Sequence, residues 1–356
     1  MQKLFVIILG LTALLSTLNS CKPEVDLNND YKNIPVVYGL LNITEPIQYL
    51  KIYKGYLSQG NALEDAKIAD SLYFFKKIDV FLDEYSDYSC TQFIRKIEMD
   101  TTTAVPKDSG IFANPTQLLY CTDVKLNENN YYKLSVIHKE TGEAVTGKTS
   151  IVPKFTFITP MPNPAMGDNI STTEIDIASL RVNETGFVQK NGTVKFNAPK
   201  NSLIYDIFVN FYYTEEDITS GTSKNENIRF KLGRVKKTSS TSEETITLPY
   251  ICHDIYRAIS NSIAPNPNVI RYFDRLKFEI FAAGEDYSEY IILNSPSGSL
   301  VQDRLKYTNL ESQDNSALGL FSSQGYSYLI CDGIKASSMD SLIRGSLSKE
   351  LNFKRR

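Results

Sequence analysis

The 356-residue chain has no tryptophan and only two histidines, His138 and His253. Imidazole chemistry therefore has few places to sit. No H-E-x-x-H pair occurs, and no G-x-S-x-G turn stands near either histidine, because that motif is absent too. Neither a Walker loop nor a G-x-G-x-x-G phosphate cradle is present. The five cysteines lack the C-x-x-C spacing of a zinc or dithiol site, so the chain carries no signature of a metal or cofactor. No apolar run reaches the roughly 18 residues that span a bilayer. Basic residues do not gather into a stripe that would neutralise phosphates, which argues against nucleic acid as a partner. What remains is ordinary for a folded chain with a core: 42% hydrophobic and 22% charged residues. The length suggests about two domains.

The N-terminus is the most specific segment. Lys3 is followed by a twelve-residue apolar stretch, residues 4–15, and then by Leu18-Asn19-Ser20-Cys21. This is the layout of a signal peptide over residues 1–20. A Leu three residues before a Cys, with a small residue between, resembles the lipobox of bacterial lipoproteins. Asn19 departs from the small residue usual at its place. The resemblance implies cleavage before Cys21 and acylation of Cys21, the expected lipidation site. Several acyl chains on one cysteine hold firmly, since each buried methylene contributes about 0.8 kcal/mol. Residues 21–33 then read as a polar tether. Its acidic character resembles the surface-export signal of Bacteroidota lipoproteins, so the expected location is the outer membrane, at the cell surface. Without the leader, 37 basic residues face 41 acidic ones, a net charge near −4.

Four cysteines remain after Cys21, and the cell envelope permits disulfides. Cys90 and Cys121 lie in the first half, Cys252 and Cys331 in the second. Pairing within each half needs no cross-domain contact, so Cys90–Cys121 and Cys252–Cys331 are the candidate bridges. Four buried free thiols are the alternative.

From residue 34 to 153 the hydrophobic period is mostly two, in short runs separated by turn signals. That pattern argues a β-sandwich. Ile78, Val80 and Leu82, with Phe75, are expected core positions of a strand over residues 73–82. Leu118, Tyr120, Val124 and Leu126 share a face further on. Tyr131 and Tyr132, opening the next-to-last strand, resemble the tyrosine corner of immunoglobulin-like sandwiches. Residues 61–69 read as a helical insert with Leu63 and Ile68 on its apolar side. Residues 154–168 hold Pro160, Pro162 and Pro164, which cannot lie inside a helix or a central strand, and mark a domain junction. Residues 169–350 form a second β-rich domain. Asn191-Gly192 signals a hairpin. Tyr205, Ile207, Val209, Phe211 and Tyr213 alternate as one buried strand face. A helix over residues 250–263 opens at Pro249, with Ile251, Ile255, Ile259 and Ile263 four apart. The expected fold is mainly β: two β-sandwich domains, the first immunoglobulin-like, with a few short helices.

Catalytic signals are sparse. Asp83, Glu84 and Asp87 form one acidic group and Glu285 with Asp286 another. Paired carboxylates held about 5–10 Å apart could hydrolyse glycosidic bonds. Sugar-handling surfaces usually stack their ligand on tryptophan; here only tyrosine could take that part. Three Asp-Ser/Thr-x sites, at Ser71, Thr101 and Ser341, resemble the O-glycosylation acceptors of Bacteroidota envelope proteins.

The chain as a whole resembles a family of uncharacterised Bacteroidota lipoproteins often encoded beside TonB-dependent receptors. The residues behind this are Tyr38-Gly39-Leu40-Leu41-Asn42, Gly60-Asn61-Ala62 with Asp70-Ser71, Leu203-Ile204-Tyr205 with Phe211-Tyr212-Tyr213, and Gly319-Leu320-Phe321-Ser322-Ser323. The last motif departs from the usual aromatic-rich Gly-Gly form, with Ser316-Ala317-Leu318 before Gly319. The resemblance implies no catalytic residues. The anchor, the two sandwiches and the lack of catalytic motifs fit a non-enzymatic binding or accessory module held at the membrane by lipid, its partner a ligand, a neighbouring TonB-dependent receptor or another surface protein. The competing reading is a secreted, carboxylate-dependent hydrolase acting on glycans. Converging carboxylates of raised pKa would favour the hydrolase, and a flat aromatic surface would favour the module.

Overall fold

The computed structural model describes residues 34–55, 62–110, 112–114, 116–179, 190–295 and 307–356. The leader, Cys21, the tether and residues 187–189 of the expected hairpin lie outside the described residues. The fold is mainly β, as the alternation predicts. Among the described residues no helix is long and apolar enough to cross a membrane.

The first half supplies β1 (Ile34–Leu41), β2 (Gln48–Gly55), β3 (Ile78–Tyr85), β4 (Phe93–Glu98), β5 (Asp100–Thr102), β6 (Leu119–Thr122), β7 (Tyr131–His138) and β8 (Ala144–Ser150). They form two layers. One runs β1-β2-β6-β5, the other β8-β7-β3-β4. Val37, Leu41, Leu50 and Ile52 of the first layer meet Val80, Leu82, Leu134 and Val136 of the second, all buried. Burying each such side chain is worth about 1.5–3 kcal/mol, which fixes the register of every strand in the pair of layers.

The insert is helical, as expected, but the residues expected to face inward there and at Phe75 do not. The insert is two short helices, α1 (Ala62–Asp65) and α2 (Ala69–Leu72). Leu63 and Ile68 are 57% and 51% exposed, and it is Ala66 and Leu72 that reach the core. Phe75 is exposed as well. Lys76 takes a positive φ of 56°, which breaks the strand's phase, so Tyr73 and Phe74 turn inward instead and β3 begins at Ile78.

The second half supplies β9 (Phe157–Thr159), β10 (Ile170–Ser171), β11 (Asn191–Ala198), β12 (Ser202–Asp217), β13 (Ser223–Lys236), β14 (Glu244–Ile251), β15 (Val269–Gly284), β16 (Glu311–Ser312), β17 (Leu318–Cys331) and β18 (Phe353–Lys354). A three-stranded layer, β14-β11-β9, packs on the long strands β13-β12-β15-β17. Tyr205, Ile207, Val209, Phe211 and Tyr213 all enter this core, as their alternation predicts. Three helices follow: α3 (Cys252–Ser262), α4 (Glu285–Leu293) and α5 (Ala336–Arg344). On α3, Ile255, Tyr256 and Ile259 are buried. The helix opens two residues later than expected, because Pro249 is still in β14, opposite Thr193.

Asn191-Gly192 makes no hairpin. Both residues are paired inside β11, opposite Ile251 and Tyr250. A Cβ on Gly192 would lie 2.2 Å from Tyr250 Cζ, so this glycine serves the approach of a ring rather than a turn.

The proline segment is also more ordered than a bare connector. Phe155 and Phe157 belong to the second core, and β9 pairs with β11 at a sheet edge. The true join between the halves is β17. Its residues 318–323 pair in parallel with β1, Val36 with Leu318 through Leu41 with Ser323. Its residues 324–331 pair with β15. One ten-stranded sheet thus runs through both sandwiches. Leu310, Ala317 and Phe321 sit in the first core, and β16 adds to β8. The boundary expected at residues 154–168 separates the two hydrophobic clusters along most of the chain, but residues 310–323 belong with the first.

Candidate functional site

The shared sheet has a solvent face, and at the join it is lined with tyrosine. Tyr38 stands on β1, Tyr49 and Tyr53 on β2, and Tyr287 and Tyr290 on α4, which lies across the sheet. The period of two puts Val37 and Leu41 in the core and leaves Tyr38 facing out, 37% exposed; Tyr49 is 39% exposed. Tyr38 and Tyr53 stack with ring centres 6.3 Å apart, and Tyr290 meets Tyr38 edge-on at 6.5 Å. Such aromatic contacts contribute about 0.5–1.5 kcal/mol beyond area burial and hold the rings in place. Burial, then the neighbouring Tyr290 and Tyr53, push the Tyr38 hydroxyl up to about 12, so it is a neutral hydrogen-bonding group at physiological pH.

Tyr38, Tyr49, Tyr287 and Tyr290 line a groove of about 420 Å³. Its far wall is the β1–β2 turn. Gln48 Nε2 donates to the carbonyls of Asn42 and Glu45 at 2.9 and 3.0 Å, and Gln48 Oε1 accepts the Asn42 N–H at 2.8 Å. The near wall is α4. The Tyr287 N–H donates to Ser322 Oγ at 3.2 Å, and Ser288 Oγ donates to the Ala283 carbonyl at 3.1 Å. Both walls are tied by buried or half-buried hydrogen bonds, so the groove exists before anything binds.

Of the acidic residues, Glu84 and Asp87 are engaged within the first sandwich, Asp83 on β3 has one buried oxygen without a hydrogen-bond partner among the described residues, and Glu285 with Asp286 open α4. Glu84 is buried; Arg95 Nε donates to it in a salt bridge, Asn130 Nδ2 donates at 2.6 Å and Tyr132 OH at 2.9 Å. Burial raises the Glu84 pKa, but the bonds from Asn130, Arg95 and Tyr132 together with the Arg95 charge outweigh it and bring it below the ordinary glutamate range. Tyr132 OH also accepts the Asn127 N–H at 2.8 Å, which closes the turn before β7. Asp87 Oδ1 accepts the Thr91 and Gln92 N–H groups and closes the β3–β4 turn. Burial and the charges of Glu285 and Glu289 raise the Asp286 carboxyl, against a hydrogen bond from Tyr307 OH at 2.9 Å. His138 Nδ1 accepts the Thr141 N–H, in a cavity shared with Ser312, Ser316 and Asp314. Both serine hydroxyls donate to Asp314 Oδ1, at 3.1 and 2.6 Å. His253 lies on the first turn of α3, half-buried.

The expected disulfides are not formed: Cys90, Cys121, Cys252 and Cys331 are all free thiols. Cys90 is in the β3–β4 turn of one layer and Cys121 on β6 of the other. Cys252 and Cys331 are both buried in the second core, where burial pushes their thiols up to about 11 and about 12. Of the three glycosylation candidates, Thr101 is exposed on β5 and Ser71 is half-buried on α2. Ser341 is fully buried; its Oγ accepts the Ser179 N–H and donates to the Ser337 carbonyl, leaving no room for a sugar in the folded chain.

Sequence patterning alone does not single out the tyrosine groove. Its signals were the alternation that turns Tyr38, Tyr49 and Tyr53 outward and the motif around Tyr38. No protein-family model and no curated protein matches the chain. Among solved structures the similarity is at low level. One, titled "Cytokine receptor complex - Crystal form 1A", is 9% identical with a TM-score of 0.18 and covers 85% of this chain and 99% of its own. Another, "Crystal structure of CBD12 from CALX1.2", is 9% identical with a TM-score of 0.15 and covers 82% and 98%.

Proposed function

We propose that this chain is a non-enzymatic binding or accessory module of the bacterial envelope. It is anchored to the outer membrane through lipid on Cys21, and a TonB-dependent receptor is its partner. The observation that carries the reading is the exposed, pre-shaped tyrosine face at the join of the two sandwiches. Exposed aromatic patches mark interaction surfaces, and tyrosine is enriched there because one ring offers both apolar area and a hydrogen bond. The first sandwich is immunoglobulin-like in this reading. Lettered in chain order, its layers run A-B-E-D and G-F-C-C′, and Tyr132 makes the backbone bond of a tyrosine corner. Of the carboxylates that would serve a glycan hydrolase, Glu84 is locked to Arg95 and Asp87 closes a turn, while Asp286, whose carboxyl is raised, is held by Tyr307 OH. The acidic balance of the chain fits a partner other than nucleic acid.

Membrane fractionation of Cys21→Ala tests the anchor. The variant should move from the outer-membrane pellet to the soluble fraction while keeping its thermal transition. A variant that still pellets as the wild type does contradicts anchoring by this cysteine.

A further inference from the structure

The tyrosine face continues along β2 into a second cavity, of about 340 Å³, whose charge is of one sign. Lys51 and Lys54 of β2 and Lys107 from the β5–β6 connection line it, with Tyr53, Tyr73 and Phe112 as walls. Lys51 Nζ lies 5.8 Å from the Tyr53 ring centre, and Lys107 Nζ lies 5.1 Å from that of Phe112. Lys54 Nζ donates to the Asp70 carbonyl at 2.9 Å and stands 5.5 Å from the Phe74 ring. Among the described residues, no carboxylate forms an ion pair with any of the three. Burial and the Lys107 charge lower the Lys51 pKa. Burial and the Lys77 charge lower that of Lys54, against the pull of Asp70. Like charges crowded in a half-buried pocket are destabilising, and an anion among them would relieve the repulsion. Aromatic walls beside the ammonium groups favour a ligand with a ring face as well as a charge.

We propose that this cavity binds a ring-bearing organic anion, its carboxylate or phosphate held by Lys51 and Lys107 and its ring against Tyr53 and Phe112. Acidic sugars and aromatic acids share this chemistry. The inference deepens the binding reading by naming a ligand class, and it rests on that reading.

Calorimetric titration of the purified protein tests it with four compounds. Tetragalacturonate and phenyl phosphate carry both ring and charge. Cellotetraose has rings without charge, and inorganic phosphate has charge without a ring. At least one of the first two should bind tenfold or more tightly than both controls, and which one does so identifies the sugar or the aromatic source. Lys51→Gln and Lys107→Gln should each weaken that binding about tenfold, near 1.4 kcal/mol. Lys51→Arg should retain it, and matched thermal transitions show that the variants are folded. Inorganic phosphate binding equally well overturns the proposal, as do an unchanged affinity in the Lys51→Gln, Lys107→Gln double variant and the absence of binding by either ring-bearing anion at about 10 mM. Receptor capture that survives any of these failures leaves the binding reading intact. Loss of capture with anion binding preserved removes only the receptor.

Discussion

Gly319→Ala should break the join between the two sandwiches and lower stability by about 4 kcal/mol or more, an effect reserved for backbone or core defects. Gly319 has a φ of 115°, where a side chain is strained by about 1–3 kcal/mol. A Cβ there would stand 1.9 Å from the Val37 carbonyl oxygen and within 3 Å of the Val37 C and N. Those are backbone atoms of β1, so the clash is relieved only by parting β1 from β17. The parallel pairing from Val36–Leu318 to Leu41–Ser323 would go with it, and Phe321 would leave the first core. Gly142→Ala is the control. Its φ of 71° is also left-handed, but nothing lies near the added methyl, so it should cost only about 1–2 kcal/mol. Urea unfolding of both variants reads the difference. Equal midpoints for Gly319→Ala and wild type would contradict the β1–β17 register.

Glu84→Ala should cost about 3 kcal/mol by the same measurement. Arg95 is 44% exposed along its side chain and rehydrates when its partner is lost, so little of the cost comes from the ion pair itself. The larger loss is at the Tyr132 hydroxyl and the Asn130 amide, which would give up charge-assisted bonds worth about 1.5–3 kcal/mol each, partly regained from water. The effect depends on pH with a definite sign. In the folded chain Glu84 titrates below glutamate's ordinary 4.5, so its contribution is complete above that value and is lost as pH falls through the folded pKa. The gap between wild type and Glu84→Ala should therefore be flat from about pH 7 to 5 and narrow in more acid solution. Glu279 reinforces the acid sensitivity of the wild type. Burial would raise its pKa, but Lys277, Asn210, Tyr326 and Arg229 hold it at about 2. A gap that widens toward acid pH would contradict the Glu84 network.

Local alternation was a good guide wherever one face of a strand is buried. It located the inward row from Tyr205 to Tyr213 and the Ile78, Val80 and Leu82 face, and the four-residue spacing placed Ile255 and Ile259 on a buried helix side. It failed where the deciding contact is distant. Asn191-Gly192 looks like a turn because nothing nearby reveals that Tyr250 needs the space. Tyr38-Gly39-Leu40-Leu41 and Leu320-Phe321-Ser322-Ser323 stand nearly 280 residues apart in the sequence. That they pair side by side, and so place Tyr38 under α4, depends on a parallel contact between opposite ends of the chain. Periodicity says which face is buried but not against which strand, so the groove could only be built once β17 had been placed.

Capture of the envelope complex by tagged protein tests the central claim most directly, with wild type compared to a Tyr38→Ala, Tyr290→Ala double variant. Both residues are partly exposed and neither belongs to a hydrophobic core cluster, so the variant should fold and stay membrane-bound. The wild type is expected to bring down a TonB-dependent receptor, and the variant to lose at least nine-tenths of it. Equal recovery by the variant, or no receptor with the wild type, would contradict a binding role for the tyrosine face.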